Sequence, residues 1–250
     1  MKDWSFQLYS ARDFSPLKEN LRLLAEIGYS QVEGYGGLYN DIEKLRSMLN
    51  EYGLTMPTGH FDMELLRGTG EGYRIAEKLG MEVIICPYIL ENERPRDTDG
   101  WKLFSETLTK TGDLCRQAGF GFAWHNHDFE FEPLPDGQIP MKILLDHSDM
   151  DWEIDLAWVV KGNSNPLGWI SEYGNRFCAV HLKDIAPHGE NADEDGWADL
   201  GHGIIDWPKM FQRLVKTPAS WFILEHDKPN DLDRFARRSM ETVRTFGVNP

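Results

Sequence analysis

Two histidines two residues apart, His125 and His127 in Gly121-Phe122-Ala123-Trp124-His125-Asn126-His127-Asp128, close an otherwise apolar run. Strand side chains alternate between faces, so an extended segment here sends both imidazoles one way and Trp124, Asn126 and Asp128 the other. Two imidazoles at a strand end can be half of a metal site; a hydrogen-bonded structural pair is the competing reading. Asp155 in Glu-Ile-Asp-Leu, His181 in Val-His-Leu-Lys-Asp and Glu225 in Ile-Leu-Glu-His each end another short apolar run. One histidine of the pair with Asp155, His181 and Glu225 makes a mixed nitrogen and oxygen set suited to Mn²⁺, Zn²⁺, Co²⁺ or Fe²⁺, with Mg²⁺ admissible. Two carboxylates offset the charge of one divalent ion, and positions left open can take substrate oxygens or water. His125 is taken as the ligand and His127 as an acid or base, since an imidazole titrates near the working pH. The pair alone leaves the reverse assignment open.

These residues need elements to hold them apart and aim them together, and the chain alternates throughout. Apolar strands are expected at Trp4–Tyr9, Gln31–Tyr35, Leu54–His60, Glu82–Pro87, Phe120–His127, Trp152–Leu156, Phe177–Leu182 and Trp221–Glu225. Between them lie amphipathic helices, among them Asp41–Tyr52, Gly72–Leu79, Asp99–Ala118, Pro166–Tyr173 and Leu232–Thr245. Ser15-Pro16 is expected to open the first of these, with Ser15 as its cap. A loop rich in Gly, Asp and Glu is expected from Ala186 to about Gly203. Near-continuous apolar strands alternating with helices indicate a parallel sheet covered on both faces. Eight strand-helix units in 250 residues fit a single α/β domain, a (β/α)₈ TIM barrel over residues 1–250, better than an open sheet. The C-terminal strand ends form the active site of such a barrel, and five of the eight histidines (His60, His125, His127, His181 and His226) fall there.

Composition narrows the partners. A net charge of −15 and an isoelectric point near 4.9 argue against nucleic acid and against an anionic membrane surface. No apolar run approaches the roughly 20 residues of a membrane span. The opening Met1-Lys2-Asp3-Trp4 lacks the apolar stretch of a signal peptide, and Cys86, Cys115 and Cys178 sit in apolar contexts as expected of unpaired thiols. A cytoplasmic setting is the expectation. Neither G-x-G-x-x-G after a strand nor a P-loop is present, so nucleotide folds have no local support.

The order of Gln7-Leu8-Tyr9-Ser10, Gly28-Tyr29 with Val32-Glu33, Trp124-His125-Asn126-His127-Asp128-Phe129, Ile154-Asp155, His181-Leu182-Lys183-Asp184 and Leu224-Glu225 resembles the xylose isomerase-like TIM barrels over nearly the whole chain. That group includes sugar phosphate isomerases and epimerases, ketose 3-epimerases, inosose dehydratase and endonuclease IV. The resemblance implies a metal held by a Glu, an Asp, a His and a Glu after the fifth to eighth strands. Asp155, His181 and Glu225 match three of these, while a histidine stands in place of the fifth-strand Glu. Gly201-His202-Gly203 likewise departs from the family's Gly-Glu-Gly. The resemblance further implies that Glu225 is both ligand and base, as in the ketose epimerases.

A site of this kind suits removal of a proton next to a carbonyl, the ion offsetting the charge that develops. The leading expectation is a divalent-metal-dependent sugar isomerase or epimerase acting on a keto-sugar or related polyol, with Glu225, His127 and Lys183 catalytic. A lyase that dehydrates a keto-inositol or keto-sugar is the alternative, and a non-catalytic sugar-binding barrel ranks third. Tyr9, Glu33, His60 and Lys183 are expected to bind the substrate. An internal ion pair competes with that role for Glu33 and His60, and pairing with Glu225 or Asp155 competes for Lys183. Trp158 and Trp197 can stack on a sugar ring, Glu130 and Glu132 read as solvated loop acids, and Asp184 as a loop cap. The partner is thus a small sugar or polyol, without an evident phosphate cradle, and assembly into a homo-oligomer is compatible with the sequence.

Overall fold

Eight parallel strands close into a barrel in this computed structural model, which describes residues 3–67 and 70–246. Met1 and Lys2, part of the stretch read against a signal peptide, lie outside those residues. The strands are β1 (Trp4–Gln7), β2 (Gln31–Gly34), β3 (Thr55–His60), β4 (Val83–Cys86), β5 (Gly121–His125), β6 (Asp151–Asp155) and β7 (Phe177–Leu182). Then come the short β8 (Asp184–Ile185) and β9 (Trp197–Ala198), and finally β10 (Trp221–Leu224). The barrel runs β1-β10-β7-β6-β5-β4-β3-β2, each neighbour parallel, and helices return the chain between strands. The expected (β/α)₈ TIM barrel is the fold observed.

Alternation along the strands divides the side chains into two populations. Phe6, Val32, Ile84, Phe122, Trp124, Ile154, Val180 and Leu224 join one continuous core between barrel and helices. Val83, Ile85 and Ala123 form a small separate apolar cluster. Ala123 is two residues before His125, so the same inward face turns polar toward the C-terminal strand ends. At that end Gln7, Glu33, His60, His125, Glu153, Asp155 and His181 are all buried.

Several local expectations change. Pro16 has extended backbone and sits before the first helix, Leu17–Ile27, so Ser15 is not its cap and no side chain serves as one. The helix does end where Gly28 takes φ +109°, a conformation closed to most L residues. The loop expected from Ala186 to Gly203 is tethered: β8 and β9 pair antiparallel across it. The Asp184 carboxylate accepts from the backbone N–H groups of Ile185, Gly201, Gly203 and Ile205 at 2.9–3.2 Å. Asp184 therefore clasps that loop, as expected of a cap. Among the described residues no helix is long and apolar enough to cross a membrane.

Candidate metal centre and active site

His125, Asp155, His181 and Glu225 each offer a ligand atom, and these atoms lie within 4.8 Å of one another. Strand pairing brings them together. Asp155 and His181 are register partners on β6 and β7, and Glu225 follows the last residue of β10, which is also paired to β7. Asp155 uses Oδ1 to cap the helix Leu156–Lys161, accepting from the N–H groups of Ala157 and Trp158 at 2.8 and 3.0 Å. Its Oδ2 is buried without any hydrogen-bond partner. A buried carboxylate oxygen that accepts no hydrogen bond and has the Lys183 ammonium 3.6 Å away, beside two imidazoles and a second carboxylate, suits a divalent cation, so these residues fit the expected group.

A second layer lies deeper. Glu153 precedes Asp155 by two residues on the same strand face, roughly 7 Å further into the barrel at about 3.3 Å per residue. Its Oε2 is 2.8 Å from His60 Nε2, 3.1 Å from His125 Nδ1 and 3.2 Å from His181 Nε2. Glu33 Oε1 takes a 2.7 Å bond from Gln7 Nε2 and lies 2.7 Å from His181 Nε2 and 3.2 Å from His60 Nε2. Burial opposes ionisation of both carboxylates, yet the histidine charges beside them outweigh it and lower their pKa values. Burial likewise opposes a charge on His60, but Glu33 and Glu153 prevail and raise it to about 10.

Above this floor opens a cavity of about 730 Å³, within the roughly 300–1,000 Å³ usual for small-molecule sites. Tyr9, His60, His125, His127, Lys183 and Glu225 line it, together with Trp158, Trp197, Tyr88, Arg12 and Asp227. Glu33 does not line it. That residue is fully buried, and its partners are Gln7 and two histidines, so the internal pairing forms in place of the expected substrate contact. Lys183 is 1 % exposed and paired, at 3.0 Å from Glu225, 2.6 Å from Asp227 and 3.6 Å from Asp155. Burial would strip its proton, but those acids outweigh that and keep it an ammonium. Its Nζ also stands 4.5 Å from the Trp197 ring centroid and 5.0 Å from that of Trp158.

His127 lies two residues past the end of β5, beyond the strand expected to reach it, and its ring centroid is 5.2 Å from that of His125. Burial, then the nearby Lys183 charge, lowers its pKa to about 3 and leaves a neutral imidazole whose Nδ1 has no partner. Tyr88 and Trp158 pack around it at 5.1 Å each. Its backbone N–H is held by Glu130 Oε2 at 3.0 Å, while Glu130 Oε1 accepts from Trp124 Nε1 at 2.9 Å. Glu130 is therefore no solvated loop acid. It is fully buried, because the turn Phe129–Phe131 folds back under the strand end. His226 keeps the structural role expected of the face opposite Glu225, its ring 5.3 Å from Phe235.

Two functional candidates escaped the sequence reading. Glu153 and Asp227 each stand two residues from a proposed ligand, so the alternation applied to His125 and His127 would have flagged both. The fold supplied what the sequence lacked, namely which of many acids shares a buried face with the histidines.

Comparison with known proteins places these features in context. A family model described as the xylose isomerase-like TIM barrel matches residues 21–246. An inosose dehydratase of Clostridium beijerinckii is 29% identical over 161 residues, covering 59% of this chain and 53% of that protein. The match thus spans about half the length of that relative. An inosose dehydratase of Geobacillus kaustophilus is 22% identical over 241 residues, 82% of this chain and 78% of the relative. Among solved structures, a sugar phosphate isomerase/epimerase from Parabacteroides distasonis superposes with TM-score 0.81 at 21% identity, over 97% of this chain and 93% of that one. The IOLI protein with a binding zinc atom gives 0.73 at 16%, over 100% and 97%. At such identities these two structures speak for the fold alone.

Proposed function

This chain belongs to the xylose isomerase-like TIM barrels, and on that premise we propose that it is a divalent-metal-dependent lyase that dehydrates a keto-inositol or a related keto-polyol. The sequence reading put isomerisation first and dehydration second. The relatives named inosose dehydratase favour the second order. His125, Asp155, His181 and Glu225 would hold the ion, and a zinc-binding neighbour of the same fold agrees with that choice of group. When bound, the ion supplies Lewis-acid polarisation of a substrate carbonyl.

The observation that carries the proposal is that two further proton-handling groups, neutral His127 and protonated Lys183, face the same cavity as the ligand set. The neutral imidazole of His127, which lines the cavity, can take the proton from the carbon next to the carbonyl. The resulting imidazolium can return it to the hydroxyl on the next carbon, which leaves as water as the carbon–carbon double bond forms. Lys183 donates a hydrogen bond to the oxygen on which charge develops, held in place by Glu225 and Asp227. Tyr9 and the edge-to-face pair Trp158 and Trp197 offer rings against the apolar face of a cyclic polyol. His60 reaches the cavity and can meet a hydroxyl.

Mass spectrometry of products from the metal-loaded protein with keto-inositols and keto-sugars tests this reading. Loss of one water per substrate is expected. A product of unchanged mass would put isomerisation back in first place, and substrate binding without turnover would favour a sugar-binding barrel.

A further inference from the structure

The deeper carboxylate layer takes no part in the proton transfers above, yet it is fully buried and touches both histidine ligands. His60, His125, Glu153 and His181 themselves bring ligand atoms within 4.8 Å of one another, so a second ion below the first is a genuine competitor. The directions of the ring nitrogens decide against it. His125 turns Nδ1 down to Glu153 at 3.1 Å, and His181 turns Nε2 down to Glu33 at 2.7 Å and to Glu153 at 3.2 Å. Carboxylates accept and do not donate, so those nitrogens carry protons, and a protonated nitrogen cannot ligate a metal. For His125 the nitrogen left over is Nε2. For His181 it is Nδ1, which stands 2.8 Å from Glu225 Oε2 on the side of the proposed ion; the same rule places a proton between those two, and binding a metal there releases it.

Resting on the metal reading of the site, we propose that Glu33 and Glu153 are positioning residues that lock His181 and His125 in the tautomers presenting Nδ1 and Nε2, respectively, to the ion. His60 Nε2 bridges the two carboxylates at 3.2 and 2.8 Å and ties them into one floor, with Gln7 fixing Glu33 from the other side. A ring free to choose tautomers spends part of its time with a proton where the metal must bind. Outer carboxylates that prevent this are worth roughly 10–100-fold in metal affinity.

The test uses the full chain, stripped of metal and titrated with Zn²⁺ against a chromophoric chelator. The unaltered chain is expected to bind one ion. Glu153→Gln and Glu33→Gln are expected to stay folded by circular dichroism and to bind Zn²⁺ roughly 10–100-fold more weakly. The corresponding leucine variants, which lack any acceptor, are expected to lose more. A purely structural role would lower the melting temperature and leave the affinity of the folded variants unchanged; that result overturns the inference while the metal reading stands. Two ions in the unaltered chain and one in Glu153→Gln overturn it in favour of a second site. No ion in the unaltered chain overturns both. Independently of any variant, ¹⁵N imidazole spectra of the zinc-loaded chain are expected to show the proton on His125 Nδ1 and His181 Nε2, and the reverse assignment refutes the proposal.

Discussion

Glu130 offers the sharpest stability prediction, because two opposed forces act on one buried carboxyl. Two N–H donors, from Trp124 and His127, favour its ionised form. Burial penalises that form more, and the carboxyl is pushed up to about 8. Held at about 8 in the folded chain and near 4.5 in the unfolded one, Glu130 binds a proton in the folded state alone between those values. Its contribution to stability is therefore fully present below about pH 4.5 and is lost as pH rises toward 8. At 1.36 kcal/mol per pH unit, the loss between pH 5 and pH 8 comes to about 4 kcal/mol. Glu130→Gln removes that dependence. Glutamine has one acceptor where the carboxylate has two, so the variant sets an amide N–H against a donor and costs about 1–3 kcal/mol at every pH. Urea unfolding of both proteins from pH 5 to 8 should show the variant less stable at the acid end and equal or more stable at the alkaline end, a relative change of about 4 kcal/mol. Parallel stability curves would refute the reasoning: they would mean that the two N–H donors, and not burial, set the charge of Glu130.

Other perturbations separate binding from turnover. His125→Ala should lose stoichiometric metal, whereas His127→Ala should keep it by elemental analysis and lose roughly 10²–10⁴-fold in turnover; equal, mild effects on both would return the pair to a structural role. Asp155→Ala should abolish metal binding and also cost about 1 kcal/mol in thermal unfolding, since Oδ1 caps the helix Leu156–Lys161. Asp155→Asn should restore most of the stability and little of the metal. At Gly203 an added Cβ would sit 2.2 Å from the Ile185 carbonyl oxygen and 2.3 Å from Asp184 Oδ1. Gly203→Ala should therefore break the Asp184 clasp and destabilise the chain by about 1–3 kcal/mol in urea unfolding, and unchanged stability would show that the loop does not depend on it.

The ease of reading this chain varied with the range of the forces involved. Eight apolar strands between amphipathic helices follow from local periodicity, and the barrel followed from them because parallel strands buried on both faces have few ways to close. Asp155, His181, Glu225 and one histidine of the 125/127 pair were legible as a set because each lies at or next to the C-terminal end of a strand, and those ends converge in this fold. Glu130 was misread for the complementary reason. It sits in a turn whose sequence, Phe129-Glu130-Phe131-Glu132, looks like an alternating solvated segment, and only packing beneath Trp124 and His127 shows that Glu130 is inside while Glu132 is exposed. Ser15 was misread because capping depends on the backbone angles of Pro16, which are extended here.

By itself, the sequence determined the barrel, three ligand-type residues with a histidine pair to offer a fourth, and the class of chemistry they suit, since alternation, strand-end position and side-chain donor type are local properties. The tertiary structure alone decided how these groups are used. Lys183 meets Glu225 and Asp227 across more than forty residues of chain, and Glu33 meets His181 across 148. Such contacts set which carboxylates bear charge, which imidazole nitrogens turn toward carboxylates and which acid is shut away from the cavity. Burial and long-range electrostatics act through space, so the order of residues cannot express them until the barrel has closed.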